Sequence, residues 1–388
     1  MPAGISGFQA QRLVQAREAR GLTAISLAEI TGVSPATISQ YESGTQKPRQ
    51  ETFDRLATAL NVSDEFLLRP VLTDSPTRLF YRSMSAATKA ARARAEARYQ
   101  WFLESLEYMM EFFDFPVLNL PEFDVPDSFQ DITREMIERW TLQLRECWGL
   151  GNAPIANLVQ TLENNGIVVW RTLLGAETLD AFSECRNPHP VIVLSSDKAN
   201  YFRSRMDAGH ELAHLVMHRR VDRKALTKAS DFKVLEDQAH YFGGALLLPA
   251  DAFQKELWGL SLDAFRSLKP RWGASMGLQI RRCHDLGLLT EEQEKRLWIN
   301  RSRRGWHRSE PLDESTPAEV PTLMTKSFKM LIEAKVRTKP QILKELSFSS
   351  ADIESIGALP EDYLSGRPLD GTPQFKAPAG DNVIPFRR

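Results

Sequence analysis

Between Arg205 and His218 the chain reads Arg-Met-Asp-Ala-Gly-His-Glu-Leu-Ala-His-Leu-Val-Met-His. Apolar residues fill the gaps between the polar ones, which fits a helix buried on most of its sides. Residues four apart share one face of a helix, a single turn apart. His210 and His214 can therefore present two imidazole nitrogens to one metal ion. Glu211 stands one residue round the helix, within reach of a water at that ion. Two neutral nitrogen ligands, a carboxylate base and a coordination position left for water are what a zinc hydrolase needs. The alternative is a helix with two partly buried histidines that hydrogen-bond and bind nothing. His218 is a further four residues on, which carries it away from such a metal, so it reads as structural.

A catalytic zinc takes a third protein ligand. The segment from Asp231 to Pro249 offers one: Asp-Phe-Lys-Val-Leu-Glu-Asp-Gln-Ala-His-Tyr-Phe-Gly-Gly-Ala-Leu-Leu-Leu-Pro. Asp231 is placed to cap a helix and Pro249 to stop it. Glu236, Ala239, His240 and Gly243 share one stripe of that helix. The small Ala239 and Gly243 would let it approach the first helix closely, and Glu236 would then point at the metal.

These residues resemble the ImmA/IrrE family of metallopeptidases, in which a His-Glu-x-x-His helix is followed by Glu-x-x-Ala-x-x-Phe-x-x-x-Leu-Leu-x-Pro. Glu236, Ala239, Phe242, Leu246, Leu247 and Pro249 stand in that register. The run Val191-Ile192-Val193-Leu194 and Arg203 and Arg205 also look like the family's approach to the zinc helix. The resemblance covers roughly residues 150 to 290. Many members carry a second Glu just before the Ala, where this chain has Gln238, and this favours Glu236 as the ligand. His240 stands where Asn or Asp is common, so its role is open.

With 388 residues, 42% of them apolar, the chain is long enough for two or three packed domains. A formal net charge of −1 excludes a molecule-wide pull toward nucleic acid or membrane, so any nucleic-acid surface must be local. Cys147, Cys185 and Cys283 are far apart and form neither a ligand spacing nor a disulfide framework. They read as buried thiols in a reducing cytoplasm. The start, Met-Pro-Ala-Gly-Ile-Ser, lacks a signal-peptide pattern. No apolar run reaches the roughly 18 residues of a membrane span. A cytoplasmic protein with no membrane partner is expected.

Residues 8 to 66 have the pattern of a small helical bundle. A first helix runs from Phe8 to Arg20, with Leu13, Ala16 and Ala19 facing inward and Gly21 ending it. Thr23 caps a second, to about Thr31, with Ile25, Leu27, Ala28 and Ile30 as its apolar positions. After the Gly32 turn, Ser34-Pro35 opens a third, with an N-cap and a proline at the first position, where the missing N–H costs nothing. It runs to Glu42 and stops at Ser43-Gly44. A fourth spans Glu51 to Leu60. Two short helices joined through a glycine turn make a helix-turn-helix, whose second helix can enter the major groove. Ile38 and Tyr41 would anchor that helix inward, leaving Pro35, Ala36, Thr37, Ser39 and Gln40 outward to reach base edges. Lys47 and Arg49 in the next loop could contact phosphates. Against this, residues 1 to 65 hold six Lys/Arg and seven Asp/Glu, which is not basic and suits a bundle used for protein contacts.

The whole bundle is similar to lambda-repressor-like (XRE-type) regulators, through Leu27-Ala28, Gly32-Val33-Ser34, Ile38-Ser39, Glu42, Gly44, Pro48, Leu56-Ala57 and Leu60. One departure is Ala24, where such domains often have a phosphate-bonding Gln. Affinity would then be modest or depend on dimerisation.

Arg78, Arg82, Lys89, Arg92, Arg94 and Arg98 make a basic stretch of helical composition, most simply a solvated helix. Trp101 to Phe115 is aromatic-rich at helical spacing, as in a core or a dimer seam. Pro116 to Pro126 connects it to a helix over Asp131 to Leu150 and a short one over Ile155 to Asn164. Ile167 to Trp170 and Val191 to Leu194 read as strands beneath the zinc helices. Leu262 to Leu268 and Ser275 to Leu288 look helical, Val320 to Leu364 is mixed helical, and the chain from Ser365 is a loose Gly/Pro-rich tail.

The expected fold is mainly α with a small β-sheet (α+β): an N-terminal helix-turn-helix bundle plus a zincin-like His-Glu-x-x-His metallopeptidase domain. The division is 1–68 for DNA binding, 69–130 as a helical linker, 131–300 for the peptidase and 301–388 as an extension and tail. His210, His214 and Glu236 would hold Zn²⁺, with Glu211 as general base and Tyr201 or His240 as an oxyanion donor. The resemblance implies control of gene expression by cleavage of a repressor or antitoxin, or of the chain itself, in stress, prophage or mobile-element responses. The expected partners are a double-stranded DNA operator, that protein substrate and, as is usual for helix-turn-helix proteins, a second copy in a homodimer. The rival is a non-catalytic transcription factor or antitoxin that uses the zinc fold as a sensing or dimerising scaffold.

Overall fold

The computed structural model describes residues 4–72, 88–175, 179–197, 200–221, 226 and 228–366. Arg78, Arg82 and the tail beyond Gly366 lie outside the described residues. The described chain is mainly helical, with a single sheet of three strands.

The N-terminal bundle comprises α1 (Ala10–Ala19), α2 (Ala24–Thr31), α3 (Pro35–Glu42), α4 (Gln50–Leu60) and α5 (Asp64–Leu68). The caps are those the side chains call for: Thr23 accepts from the Ser26 N–H and Ser34 from the Thr37 N–H. Gly32 takes the left-handed conformation (φ 66°) that the turn between α2 and α3 requires. Leu27, Ala28, Ile38 and Tyr41 are buried as expected, but Ile25 and Ile30 are 59% and 58% exposed. An eight-residue helix has room for only one inward stripe, and Leu27, Ala28 and Thr31 take it.

Helix α6 (Lys89–Met110) continues where the chain is next described. Tyr99, Trp101, Phe102, Leu106 and Met109 are buried within this one chain, so the aromatic stretch is core rather than a seam between copies. Arg12 of α1 is fully buried and donates to both Glu104 oxygens on α6 and to the Arg69 and Pro70 carbonyls.

Beyond a connector lie α7 (Arg134–Cys147) and α8 (Leu158–Asn164). The sheet is built from β1 (Val168–Thr172), β2 (Ala181–Glu184) and β3 (Val191–Ser195) in the order β1-β3-β2. β1 runs parallel to β3 and β2 antiparallel to it. Alternation along a strand sends successive side chains to opposite faces. Val168, Trp170, Phe182, Val191 and Val193 therefore join the core that holds α6, and Val169, Ala181, Ile192 and Leu194 join a second core.

That second core is made by α7, α8, α9 (Tyr201–Met217), α10 (Ala229–Leu247), α11 (Ala250–Glu256), α12 (Leu262–Trp272), α13 (Met276–Asp285) and α14 (Glu291–Arg303). The cores do not follow the chain in order. The last helices, α15 (Leu323–Glu333), α16 (Lys339–Leu346) and α17 (Ser350–Ile356), return to the first core and pack beside α6. Arg20, at the C-terminal cap of α1, pairs with Asp352 of α17 at 2.6 Å. Cys147 and Cys185 are exposed and only Cys283 is buried, against the expectation of three buried thiols.

Candidate metal centre and nucleic-acid interface

Helix α9 is capped by Asn200, whose side chain accepts from the Arg203 N–H, and Leu215, Val216 and Met217 bury the end that follows its His-Glu-x-x-His segment. Helix α10 begins at Ala229 with no side-chain cap, so Asp231 lies in its first turn rather than ahead of it. The two helices meet through glycine. A Cβ on Gly209 would lie 3.1 Å from the Gly243 Cα, and one on Gly243 would lie 3.2 Å from the His210 nitrogen. The close approach expected of Gly243 is thus made against Gly209, a second residue without a side chain.

This close packing brings Glu236 to the histidines. His210 Nε2 is 3.3 Å from one Glu236 oxygen, His214 Nε2 is 3.7 Å from the other, and the two Nε2 atoms are 3.1 Å apart. Ligand atoms of His210, His214 and Glu236 all lie within 4.8 Å of one another. Two imidazoles and one carboxylate are a donor set that suits zinc and leaves a coordination position over. Burial works against a charge on His210, yet the hydrogen bond to Glu236 and the charges of Glu211, Glu236 and Asp207 outweigh it and raise its pKa. The convergence of these three donors is what fits the group.

Glu211 is 4% exposed. The Ser183 hydroxyl donates to its Oε2 at 2.6 Å. Ser183 owes this place to strand alternation: it faces α9, and its neighbour Glu184 faces α6, where the Tyr99 hydroxyl donates to it at 2.6 Å. Sequence reasoning missed both, because β2 is only four residues long. His218, read as structural, is not among the three converging donors; its Nδ1 lies 2.8 Å from the His214 Nδ1, the ring nitrogen that does not face Glu236.

The two oxyanion-donor candidates separate. The His240 ring is 6.5 Å from that of His210. Burial, with His210 nearby, lowers its pKa. Tyr201 opens α9 nine residues earlier, about 13 Å along the axis, and its hydroxyl meets Arg205. A cleft of about 430 Å³ runs beside the centre, lined among others by Asp180, Asp207, His240, Arg281 and Trp298. Burial, reinforced by Asp180, pushes Asp207 up to about 7.

In the N-terminal bundle, α3 exposes Pro35, Ala36, Ser39 and Gln40; Thr37 is half-buried, and its hydroxyl meets that of Ser34 at 2.8 Å. Lys47 and Arg49 are exposed in the following loop. Arg17 of α1 bonds Glu42 at the end of α3, which sets the angle of that helix on the bundle.

The same two regions are matched by known families. Residues 13–67 match the helix-turn-helix family, and residues 162–284 match the IrrE N-terminal-like domain. The chain joins an XRE-type helix-turn-helix domain to an IrrE/ImmA-like domain, in that order. No curated protein matches the chain. Helices α9 and α10, and with them His210, His214 and Glu236, fall inside the IrrE-like domain; α6 and α15–α17 fall outside both matched spans. No helix among the described residues is long and apolar enough to cross a membrane.

Proposed function

We propose that this chain is a DNA-binding transcriptional regulator whose IrrE-like domain is a zinc-dependent endopeptidase acting on a repressor or antitoxin, or on the chain itself. The observation that carries the reading is the convergence of His210, His214 and Glu236 beside a carboxylate, Glu211, that is buried and held by Ser183. A non-catalytic scaffold would need the three ligands but not a held base.

His210 and His214 would hold the ion through Nε2 and Glu236 through its carboxylate. When bound, zinc supplies Lewis acidity, drawing the pKa of a water toward about 7 and polarising a carbonyl. Glu211 takes the proton of the attacking water and passes it to the leaving amine. Ser183 holds Glu211 through the hydrogen bond to its Oε2, and His240, which lines the cleft, is the better placed donor to a developing oxyanion. Ser183→Ala removes a hydrogen bond to a charged group, worth about 1.5–3 kcal/mol, so kcat/KM falls about 10- to 150-fold with zinc content unchanged. Wild-type kinetics in that variant would remove Ser183 from the mechanism. The direct test of the reading is zinc content of the purified chain, followed by mass spectrometry of new N-termini in cells expressing it. No zinc after incubation with the metal would end it.

For the helix-turn-helix, α3 would enter the major groove with Pro35, Ala36, Thr37, Ser39 and Gln40 at base edges, and Lys47 and Arg49 at phosphates. The chain would bind a double-stranded operator as a homodimer, from the cytoplasm, with domain boundaries at residues 68, 130 and 300. Gln40→Ala should cost about 1–3 kcal/mol on the duplex that wild type selects from a random pool, and relax the preference at one base pair. Lys47→Ala should weaken all sequences alike and reduce the salt slope by about one. Equal loss on selected and random duplexes for Gln40→Ala would remove it from base reading.

A further inference from the structure

Next to the proposed metal ligands runs a chain of hydrogen bonds that ends on the backbone. Gln238 of α10 is 8% exposed. Its Nε2 lies 2.8 Å from the Phe129 carbonyl and 3.2 Å from the Ile132 carbonyl. Phe129–Asp131 is a single 3₁₀ turn, and Ile132 follows it. A carbonyl oxygen can only accept, and it has two lone pairs, so the Phe129 oxygen can take Gln238 as well as the Ile132 N–H at 3.2 Å. The amide end of Gln238 must therefore face them, and its Oε1 must face the other way. There it lies 3.0 Å from the His218 Nε2. An amide oxygen only accepts, so His218 Nε2 carries a hydrogen. In neutral His218 the Nδ1 is then bare. That bare Nδ1 is 2.8 Å from the His214 Nδ1, which must donate to it. A neutral His214 with hydrogen on Nδ1 has its lone pair on Nε2, the atom 3.1 Å from His210 Nε2 and 3.7 Å from Glu236.

Each link follows from which atoms can donate, starting from two carbonyls whose roles are not in question. The elements come from three places. His218 ends α9, Gln238 is in α10, and the carbonyls are over 100 residues before Gln238 in the chain. His218 is fully buried and His214 nearly so, which keeps water from offering alternative partners. We infer that His218 and Gln238 are positioning residues: anchored on the Phe129 and Ile132 carbonyls, they hold His214 in the one tautomer that turns its Nε2 lone pair to a metal. This rests on the proposed metal centre, and assigns His218 and Gln238 a part in metal binding without contact to the ion. Partners of this kind typically contribute 10–100-fold in metal affinity.

The test uses the full-length chain, stripped of metal and titrated with Zn²⁺ against a chromophoric chelator. The set is wild type, Glu236→Ala, His218→Leu and His218→Gln. Leucine has neither donor nor acceptor. Glutamine can offer an oxygen to His214 and an N–H to Gln238, so it can restore the link. The expected result is tight binding by wild type, loss in Glu236→Ala, about 10–100-fold weaker binding in His218→Leu, and recovery to within about threefold in His218→Gln. A packing role alone would not favour Gln over Leu at a buried site. Unchanged affinity in His218→Leu, with loss in Glu236→Ala, overturns the relay and leaves the metal centre standing. No zinc on wild type overturns both. If His218→Leu does not fold, the ¹⁵N shifts of His214 in metal-free wild type decide: hydrogen on Nδ1 supports the relay, and hydrogen on Nε2 overturns it.

Discussion

If the proposed peptidase reading holds, replacing Glu211 by glutamine leaves the protein folded and able to hold zinc, and cuts cleavage of a protein substrate by about 10²–10⁴-fold, the range of general acid–base catalysis. The two side chains have the same shape. Glutamine at this position still offers an oxygen to the Ser183 hydroxyl, which donates to Glu211 at 2.6 Å. What it cannot do is take a proton from water. The variant therefore separates chemistry from fold in a way that changing a ligand does not. Zinc content by atomic emission, the denaturation midpoint, and the rate at which new N-termini form in expressing cells are the three readings. A variant that keeps its zinc and cleaves like wild type would mean that another group is the base. One that keeps every cellular effect while cleavage is undetectable in wild type too would favour the scaffold.

The second large effect is expected far from the metal centre. Arg12→Met should destabilise the chain by about 3–5 kcal/mol. Arg12 and Glu104 have side chains 0% and 5% exposed, so deleting the guanidinium leaves a carboxylate buried without its cation. It also strips the donors from the Arg69 and Pro70 carbonyls. Methionine fills a similar volume, so the loss reports charge rather than a void. Arg12→Met with Glu104→Leu should recover much of it, since apolar replacement of both members of a buried pair is often close to neutral. Urea titration of the first unfolding transition measures this. A loss below about 1 kcal/mol would put the pair among solvated surface pairs. Because Arg12 ties α1 to α6, and α6 reaches β2 through Tyr99 and Glu184, this pair anchors the DNA-binding bundle to the layer that carries Ser183.

Much of the candidate site is legible in the amino-acid sequence. The i, i+4 spacing of His210 and His214 and the stripe holding Glu236 and Gly243 depend only on helix geometry. The caps at Thr23 and Ser34 and the turn at Gly32 depend only on neighbours in the chain. Ile25 and Ile30 mislead because composition marks an apolar residue without saying that its face finds no partner. Asp231 misleads because a residue able to cap is not thereby the first residue before a helix.

The features that residue order alone settles are therefore those that repeat at short range: two helices whose spacing lines up His210, His214 and Glu236, and a bundle with α3 turned outward. The distant groups that meet them are chosen by the packing of the whole chain. Ser183 reaches Glu211 across 28 residues, His218 reaches Gln238 across 20, Arg12 reaches Glu104 across 92 and Arg20 reaches Asp352 across 332. Helix and strand periods fix the direction of a side chain only within its own element. Which element lies in that direction depends on how the cores close, and here the last helices close back on α6 rather than on the domain they follow.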